Sequence, residues 1–150
     1  MQQPRNPLIP MSRQFFESIE SSTDQTSFSL DKIIRELAFN DDGLMPVITQ
    51  DANTKEVLMF AWMNKVSLEL TIKTKRMTYW SRSRQALWKK GESSGHTQEL
   101  VSMSFDCDGD CILCLVNQVG PACHTGRPHC FYLFVDGDKQ TVTVQGDMPK

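Results

Sequence analysis

Residues 106–130 read D-C-D-G-D-C-I-L-C-L-V-N-Q-V-G-P-A-C-H-T-G-R-P-H-C and hold all five cysteines of the chain. The same segment holds two of the three histidines, and three aspartates stand at alternate positions near its start. Thiolates suit zinc, whereas carboxylate oxygens suit Mg²⁺. We therefore expect the segment to serve two kinds of metal, and the rest of the chain to be organised around it.

The composition narrows the class of protein. A chain of 150 residues corresponds to about one domain, and a net charge of -2 gives no overall basic excess for nucleic acid. No stretch offers the roughly 18 apolar residues of a membrane helix. Five clustered cysteines in a chain without a signal peptide's apolar core indicate a cytoplasmic protein that uses thiols for metal or catalysis rather than for disulfides.

The Pro-rich and polar start of the chain, residues 1–28, is interpreted as an extension that is flexible or forms a short helix around Phe15, Phe16 and Ile19. Residues 29–150 are interpreted as the functional domain. Within it, the apolar spacing after Ser29 predicts a helix that continues to Ala38.

The later part of the chain is predicted to be mainly strands. Apolar runs on either side of D-A-N-T-K and of D-G-D-K predict two β-hairpins, and Asn64 is expected to cap a helix between them. Strands are also predicted at residues 77–80, 99–107 and 111–119, the last covered on both faces. Because helices and strands do not alternate, the pattern predicts an α+β fold with a mainly antiparallel sheet and a few flanking helices.

The alternating aspartates are expected to lie on a strand. On extended backbone, Asp106, Asp108 and Asp110 would project from one face and Cys107 from the other. Three carboxylates on one face repel one another unless a cation such as Mg²⁺ lies between them. The alternative is a solvated acidic turn; an EF-hand is excluded, because Gly109 is the fourth residue of the run rather than the sixth.

Two sets of cysteines compete for zinc. Cys107, Cys123 and Cys130 would leave a fourth position open for water, as in catalytic sites. The other set, Cys111, Cys114, Cys123 and Cys130, would make the closed site of a small zinc-stabilised module that binds nucleic acid. Spacing leaves both open, although the apolar run C-I-L-C-L-V favours packing of Cys111 and Cys114 in the core. A zinc deaminase of free purines would need the signature H-x-E…P-C-x-x-C, which the chain lacks.

Two further features point to catalysis on a phosphate-bearing substrate. His124 follows a candidate ligand, where an imidazole can transfer a proton. A local stretch rich in hydroxyl and basic groups suits phosphates, and its tryptophans could stack on a base or a ribose. The stretch comprises Trp80, Ser81, Arg82, Ser83, Arg84, Trp88, Lys89, Lys90 and Gly91. The alternatives are a structural histidine and a solvated loop with core tryptophans. No P-loop or G-x-G-x-x-G occurs.

Taken together, four motifs in this order resemble the phosphoribosyl-AMP cyclohydrolase family of histidine biosynthesis. They are V-L-M-F-A-W-M-N from Val57, Y-W-S-R-S-R-Q-A-L-W-K-K-G-E-S-S-G from Tyr79, D-C-D-G-D from Asp106 and A-C-H-T-G-R-P-H-C-F from Ala122. The resemblance implies a hydrolase that breaks the N1–C6 bond of the adenine ring of phosphoribosyl-AMP, a small nucleotide substrate.

The resemblance also implies site residues and partners. It places Zn²⁺ on Cys107, Cys123 and Cys130, and Mg²⁺ on the three aspartates, with His124 assisting proton transfer. It implies an intertwined homodimer in which each zinc is shared between subunits. Substrate contacts fall on the second motif, at Trp80, Ser81, Arg82, Ser83, Arg84, Lys90, Glu92 and Ser94. The sequence departs from the family's usual pattern at Gly109, where a larger polar residue is common, and at His96, where Asn is typical; neither change removes a ligand.

Overall fold

The computed structural model describes residues 11–149. Three helices precede or flank the strands: α1 (Met11–Ile19), α2 (Leu30–Glu36) and α3 (Lys65–Thr74). The strands are β1 (Met45–Asp51), β2 (Val57–Met63), β3 (Thr78–Ser81), β4 (Ala86–Lys89), β5 (Gln98–Phe105), β6 (Ile112–Gln118), β7 (Leu133–Asp136) and β8 (Thr141–Val144). The predicted α+β class is confirmed.

The four-stranded sheet has the order β2-β1-β6-β5. Its β1–β2 and β5–β6 pairs are antiparallel hairpins, whereas β1 and β6 run parallel. β3–β4 and β7–β8 form separate antiparallel pairs. The central parallel pair was not predicted, because the two strands are far apart in sequence and only the assembled sheet brings them together.

Local capping explains the helices. Asn64 accepts a hydrogen bond from the Ser67 N–H at 2.8 Å, and Ser67 Oγ accepts one from the Asn64 N–H at 2.9 Å, which satisfies two free donors at the start of α3. Ser29 caps α2 as predicted. However, α2 ends at Glu36, before the predicted Ala38, because the Ala38 N–H leaves the helix to bond the Gly109 carbonyl at 2.8 Å.

The core lies on one face of the sheet. Alternate residues of β1 and β6 are buried, among them Val47, Ile112 and Cys114, and they pack with Leu68 of α3 and with Phe16 of α1. The predicted covering of β6 on both faces is wrong for the single chain, since Leu113 and Leu115 stay partly exposed on the other face. No helix among residues 11–149 is long and apolar enough to cross a membrane.

The D-C-D-G-D run is a turn rather than a strand. β5 ends at Phe105 and β6 begins at Ile112, and these two residues pair across the hairpin. The Asp106 N–H bonds the Cys111 carbonyl at 3.0 Å, and the Gly109 N–H bonds the Asp106 carbonyl at 3.1 Å. The predicted strand alternation of the aspartates is therefore wrong, because the chain must reverse direction here and the positive φ of Gly109 (65°) allows it to do so.

Candidate active site

The second cysteine loop, residues 121–130, is held closed by its own backbone. The Ala122 N–H bonds the Pro128 carbonyl at 3.1 Å, and the Cys123 N–H bonds the Arg127 carbonyl at 3.2 Å. The Cys130 N–H bonds the Leu58 carbonyl at 2.8 Å and so fixes the end of the loop to β2. These bonds bring together two cysteines that are seven positions apart.

The thiols of Cys123 and Cys130 lie in contact and are electrostatically unequal. Burial would raise the pKa of Cys123, but hydrogen bonds from Thr125 and Cys130 and the charge of Arg127 hold this pKa below its usual value. The Thr125 hydroxyl donates to Cys123 Sγ at 3.1 Å. Burial, and then the neighbouring Cys123, raise the pKa of Cys130 to about 11. The pair therefore has one thiol prepared to ionise, and the donor chemistry fits a soft cation such as zinc.

A cavity of about 480 Å³ opens beside Cys123. Its wall combines the thiol with His124, the indole of Trp88 and the hydroxyl of Ser94. Among the described residues, three cationic side chains and one carboxylate line it: Arg84, Lys89, Lys90 and Glu92. A positive and partly aromatic cavity next to a candidate metal ligand suits an anionic substrate with a planar ring.

Lys90 links the cavity to the cysteine loop. Its Nζ donates to the Ala122 carbonyl at 2.7 Å and lies 5.3 Å from the centre of the Trp88 ring. Burial lowers the pKa of Lys90, while the nearby Cys130 and Cys123 oppose this change. The sequence indicated only a substrate contact for Lys90, so its bond to the loop is a second role that the structure adds.

The three histidines occupy different environments. His124 is exposed and lines the cavity beside Cys123, and its role in proton transfer stays a prediction. His96 lines the same cavity, so the departure from the family's usual pattern at this position falls on the cavity wall. His129 does not line it: its Nδ1 accepts the Phe131 N–H at 3.1 Å, and its Nε2 lies 4.0 Å from Glu56.

The S-R-S-R motif forms the tip of the β3–β4 hairpin and divides between two cavities. Arg84, Lys90, Glu92 and Ser94 line the cavity beside Cys123, whereas Trp80 and Arg82 line a separate cavity of about 370 Å³. Arg82 stacks over Trp62 at 4.8 Å from the ring centre. Ser81 Oγ lies 3.4 Å from Ser83 Oγ and accepts the Arg84 N–H at 3.3 Å, so these hydroxyls hold the turn.

The first cysteine loop, residues 106–111, presents its ligands differently. One oxygen of Asp106 accepts the backbone N–H groups of Asp110 and Cys111 at 2.9 and 3.2 Å. Burial opposes ionisation of Asp106, but hydrogen bonds from Asp110 and the turn backbone hold its pKa below the ordinary value. The hydrogen bond to Asp106, with burial and the neighbouring negative charges, raises the pKa of Asp110. Two carboxyls held this close, with negative charges that oppose one another, are suited to a divalent cation.

The third carboxylate and the thiol of this loop point elsewhere. Asp108 lies 3.9 Å from Arg13 of α1. Cys107 is exposed and lines a cavity of about 510 Å³ between this turn and the first two helices, away from Cys123 and Cys130. Within residues 11–149, no three His, Cys, Asp or Glu side chains come together as a group that could hold a metal ion.

The remaining cysteines follow the packing interpretation in part. Cys114 is fully buried in the core cluster, and burial raises its pKa to about 12. Cys111 is partly exposed at the start of β6, and its sulfur lies 3.9 Å from the carbonyl oxygen of Ile112. Cys114 therefore cannot join the closed four-cysteine set without leaving the core.

Sequence reasoning missed three contributors to the site. Thr125 entered the sequence analysis only as part of the motif that begins at Ala122, although its hydroxyl is the donor to Cys123. Leu87 and Pro121 also line the cavity, and no local pattern marks them. A hydroxyl residue two positions after a cysteine was the one signal available, since side chains of this type often bond to atoms two residues away in a turn.

Comparison with known proteins identifies the family. A family model described as phosphoribosyl-AMP cyclohydrolase matches residues 59–132. A phosphoribosyl-AMP cyclohydrolase of Roseobacter denitrificans is 60% identical over 112 residues, which are 74% of this chain and 88% of the relative. One from Hydrogenovibrio crunogenus is 51% identical over 123 residues, 81% of this chain and 84% of the relative. One from Dinoroseobacter shibae is 62% identical over 96 residues, 64% of this chain and 81% of the relative. The chain belongs to the phosphoribosyl-AMP cyclohydrolase family.

Proposed function

We propose that this chain hydrolyses phosphoribosyl-AMP in histidine biosynthesis, opening the adenine ring between N1 and C6 with the help of zinc. The observation that carries the proposal is the cavity that joins Cys123 and His124 to a basic and aromatic wall. Relatives named for this reaction cover most of the chain. The free thiols fit the reducing cytoplasm.

The substrate chemistry matches the cavity wall. Phosphoribosyl-AMP carries two phosphate groups and a purine ring, and the wall offers three cations for the phosphates and the Trp88 indole for the ring. Burial of phosphates beside cations also excludes water from their surroundings, which strengthens each contact. Glu92 leaves one acceptor for a ribose hydroxyl or a ring N–H group.

The residues around Cys123 would prepare the reaction. Thr125 and Arg127 favour the thiolate form of Cys123, and Lys90 fixes the loop through the Ala122 carbonyl. Bound zinc would supply the acidity that makes water a nucleophile near a pH of about 7. His124, exposed on the wall, would take a proton from the attacking water and return it to the ring nitrogen that leaves. Mg²⁺ at the aspartate turn would help to hold the substrate.

The zinc site is proposed to be shared between two copies of the chain. Cys107 lies apart from the Cys123–Cys130 pair, so the third ligand would be Cys107 of the partner subunit. Large apolar side chains remain exposed on the β7–β8 hairpin, including Leu133, Phe134, Val135 and Val142. Exposed apolar surface of this kind is typical of an interface, and a second copy would cover it.

An absorbance assay of phosphoribosyl-AMP ring opening tests the function. We expect turnover by the wild-type chain, loss of turnover on chelation, and loss of both zinc and turnover in Cys123→Ser. Cys111→Ser is the control, because it makes the same chemical change at a cysteine that is proposed to bind no metal. Ring opening that continues in zinc-free Cys123→Ser would contradict the proposed site.

The role of His124 is tested by His124→Asn. An amide keeps polarity at the cavity wall but cannot transfer the proton, so kcat is expected to fall by about 10²-fold or more while KM changes little. Zinc content should stay at the wild-type level. A variant with normal kcat would exclude His124 as the proton-transfer group.

A further inference from the structure

Helix α1 packs on the aspartate turn from outside the residues that the family model matches. The family match covers residues 59–132, whereas α1 spans Met11–Ile19. Phe16 is only 6% exposed and belongs to the core cluster. The α1 helix therefore connects a segment with no assigned role to a loop that carries the candidate magnesium ligands.

The contact depends on Gly109. A Cβ atom at this position would come within 2.5 Å of Phe16 Cζ and 2.6 Å of Phe16 Cδ2, so the ring occupies the space where any other residue would place its side chain. Gly109 also has φ of +65° and donates its N–H to the Asp106 carbonyl. Its own carbonyl accepts the Ala38 N–H at 2.8 Å. Gly109 is therefore in contact with both the ring of Phe16 and the segment that follows α2.

Arg13 adds a second and weaker link. Its Nε lies 3.5 Å from Glu17 on the same helix and 3.9 Å from Asp108 in the turn. Both partners of the Arg13–Asp108 pair are about half exposed, so the pair contributes little on its own. Cys107 stays exposed, so α1 supports the turn without covering the thiol.

We propose that α1 is a positioning element for the D-C-D-G-D turn and that Phe16, through Gly109, is the residue that fixes the turn for binding a divalent cation. The proposal rests on the proposed magnesium role of Asp106, Asp108 and Asp110. Asp106 can orient the backbone of the turn only while the loop keeps its present shape, because both of its accepted bonds come from N–H groups within the loop. Phe16 packing preserves that shape.

The test uses the full-length, zinc-loaded chain and Mn²⁺ as a probe whose free concentration is read by electron paramagnetic resonance. Phe16→Ala and Gly109→Ala are each expected to weaken Mn²⁺ binding about tenfold, the scale on which groups that orient metal ligands act. Gly43→Ala is the matched control. Gly43 also has a positive φ (+74°), but a Cβ atom there would meet nothing within 4 Å. It should leave Mn²⁺ affinity unchanged.

The double variant makes the coupling explicit. Once Phe16 is removed, the space beside Gly109 is free, so Phe16→Ala with Gly109→Ala should bind Mn²⁺ no more weakly than Gly109→Ala alone. Phe16→Leu provides a milder variant if Phe16→Ala fails to fold. Wild-type Mn²⁺ affinity in Phe16→Leu and Phe16→Ala, or full additivity in the double variant, would overturn the proposal.

Hydrogen exchange separates this proposal from the magnesium assignment. In Phe16→Ala the amides of Asp110 and Cys111 should exchange faster, whereas those of Leu113 and Cys114 in β6 should not. If the wild-type chain binds no Mn²⁺, or Asp110→Asn binds it as well as wild type, the magnesium assignment fails and the exchange rates alone decide. Unchanged exchange at Asp110 and Cys111 would then overturn the positioning role of Phe16.

Discussion

The two cysteine loops, at residues 106–111 and 121–130, carry the same kind of ligand in opposite settings. The second loop folds back on itself, brings Cys123 and Cys130 into contact and opens on a basic cavity. The first loop is a hairpin turn in which Asp106 accepts a backbone N–H and is hydrogen-bonded to the side chain of Asp110. Cys107 remains exposed in this turn. The second loop offers two neighbouring thiols and would need a third ligand to bind zinc. The first loop offers the thiol of Cys107 with no other candidate zinc ligand grouped around it among residues 11–149. This contrast is the basis for our proposal that two copies of the chain complete each zinc site.

The largest expected effect comes from mixing two inactive variants. Cys107→Ser and Cys123→Ser should each be inactive alone, because every zinc site in either homodimer lacks one ligand. After unfolding and refolding together in equal amounts, about a quarter of the wild-type rate should return, since half of the dimers are mixed and each holds one intact site of two. The ring-opening assay measures this recovery.

Two controls accompany the mixing experiment. Cys123→Ser mixed with Cys130→Ser should stay inactive, because these two cysteines belong to the same loop and either arrangement leaves both sites incomplete. Sedimentation velocity should show dimers in all mixtures. Zinc bound at full occupancy by a monomer would break the contrast between the two loops.

A second prediction concerns Lys90, which we expect to increase the zinc affinity of the second loop. Lys90→Met removes the hydrogen bond to the Ala122 carbonyl and the positive charge near both thiols. Zinc affinity should fall about 10- to 100-fold, as for other groups that orient metal ligands. Competitive titration against a zinc chelator measures it, and Lys89→Met, which removes a neighbouring charge from the same cavity wall, should change zinc affinity far less.

A third prediction tests the alternative grouping of the cysteines. Cys114→Ser places a hydroxyl in a fully buried position among apolar neighbours and should lower the free energy of unfolding by about 1–3 kcal/mol. Cys111→Ser, at a partly exposed position, should cost much less. Denaturant melts measure the difference, and zinc content should stay normal in both variants. Loss of zinc from either variant would support the closed four-cysteine site instead.

Much of the fold could be predicted, because the signals are local. The turn residues D-A-N-T-K, the Asn64 cap and the apolar run of β6 each determine structure through neighbours in sequence, and the hairpin, α3 and β6 follow them. The parallel pairing of β1 with β6 could not be predicted, since it joins strands about sixty residues apart. The early end of α2 was missed for a similar reason, because the bond from Ala38 to Gly109 is a long-range contact.

The candidate site also has a part that could be predicted from local signals and a part that depends on long-range contacts. The chemistry of Cys123, Cys130 and His124 could be inferred from residue types and from the family resemblance. Their grouping around one cavity, and the separation of Trp80 and Arg82 from it, depend on how the β3–β4 hairpin sits against the loop. The error over the aspartates arose because alternation has the same appearance in a strand and in a six-residue turn.

The smallest effect concerns that turn and follows from its coupled carboxyls. The pKa of Asp110 is raised, so the folded chain holds this proton more tightly than the unfolded chain does, and ionisation of Asp110 costs stability as the pH rises above the ordinary value of 3.8. Asp110→Asn can keep a donor to Asp106 without the charge. In the metal-free chain at pH 7 it should therefore raise the free energy of unfolding by roughly 0.5 kcal/mol, a small value because the carboxyl is exposed.

The effect of Asp110→Asn on the free energy of unfolding should depend on pH. The gain from Asp110→Asn should disappear at acid pH, where Asp110 is protonated in both states, and thermal melts between pH 3 and 7 would show it. Asp106→Asn should act in the opposite direction at pH 7, because the pKa of Asp106 is lowered and its charge accepts two backbone N–H groups. If both variants shifted the free energy of unfolding in the same direction, the two carboxyls would not be coupled. The repulsion between them, which is the reason to expect a cation at this turn, would then be absent.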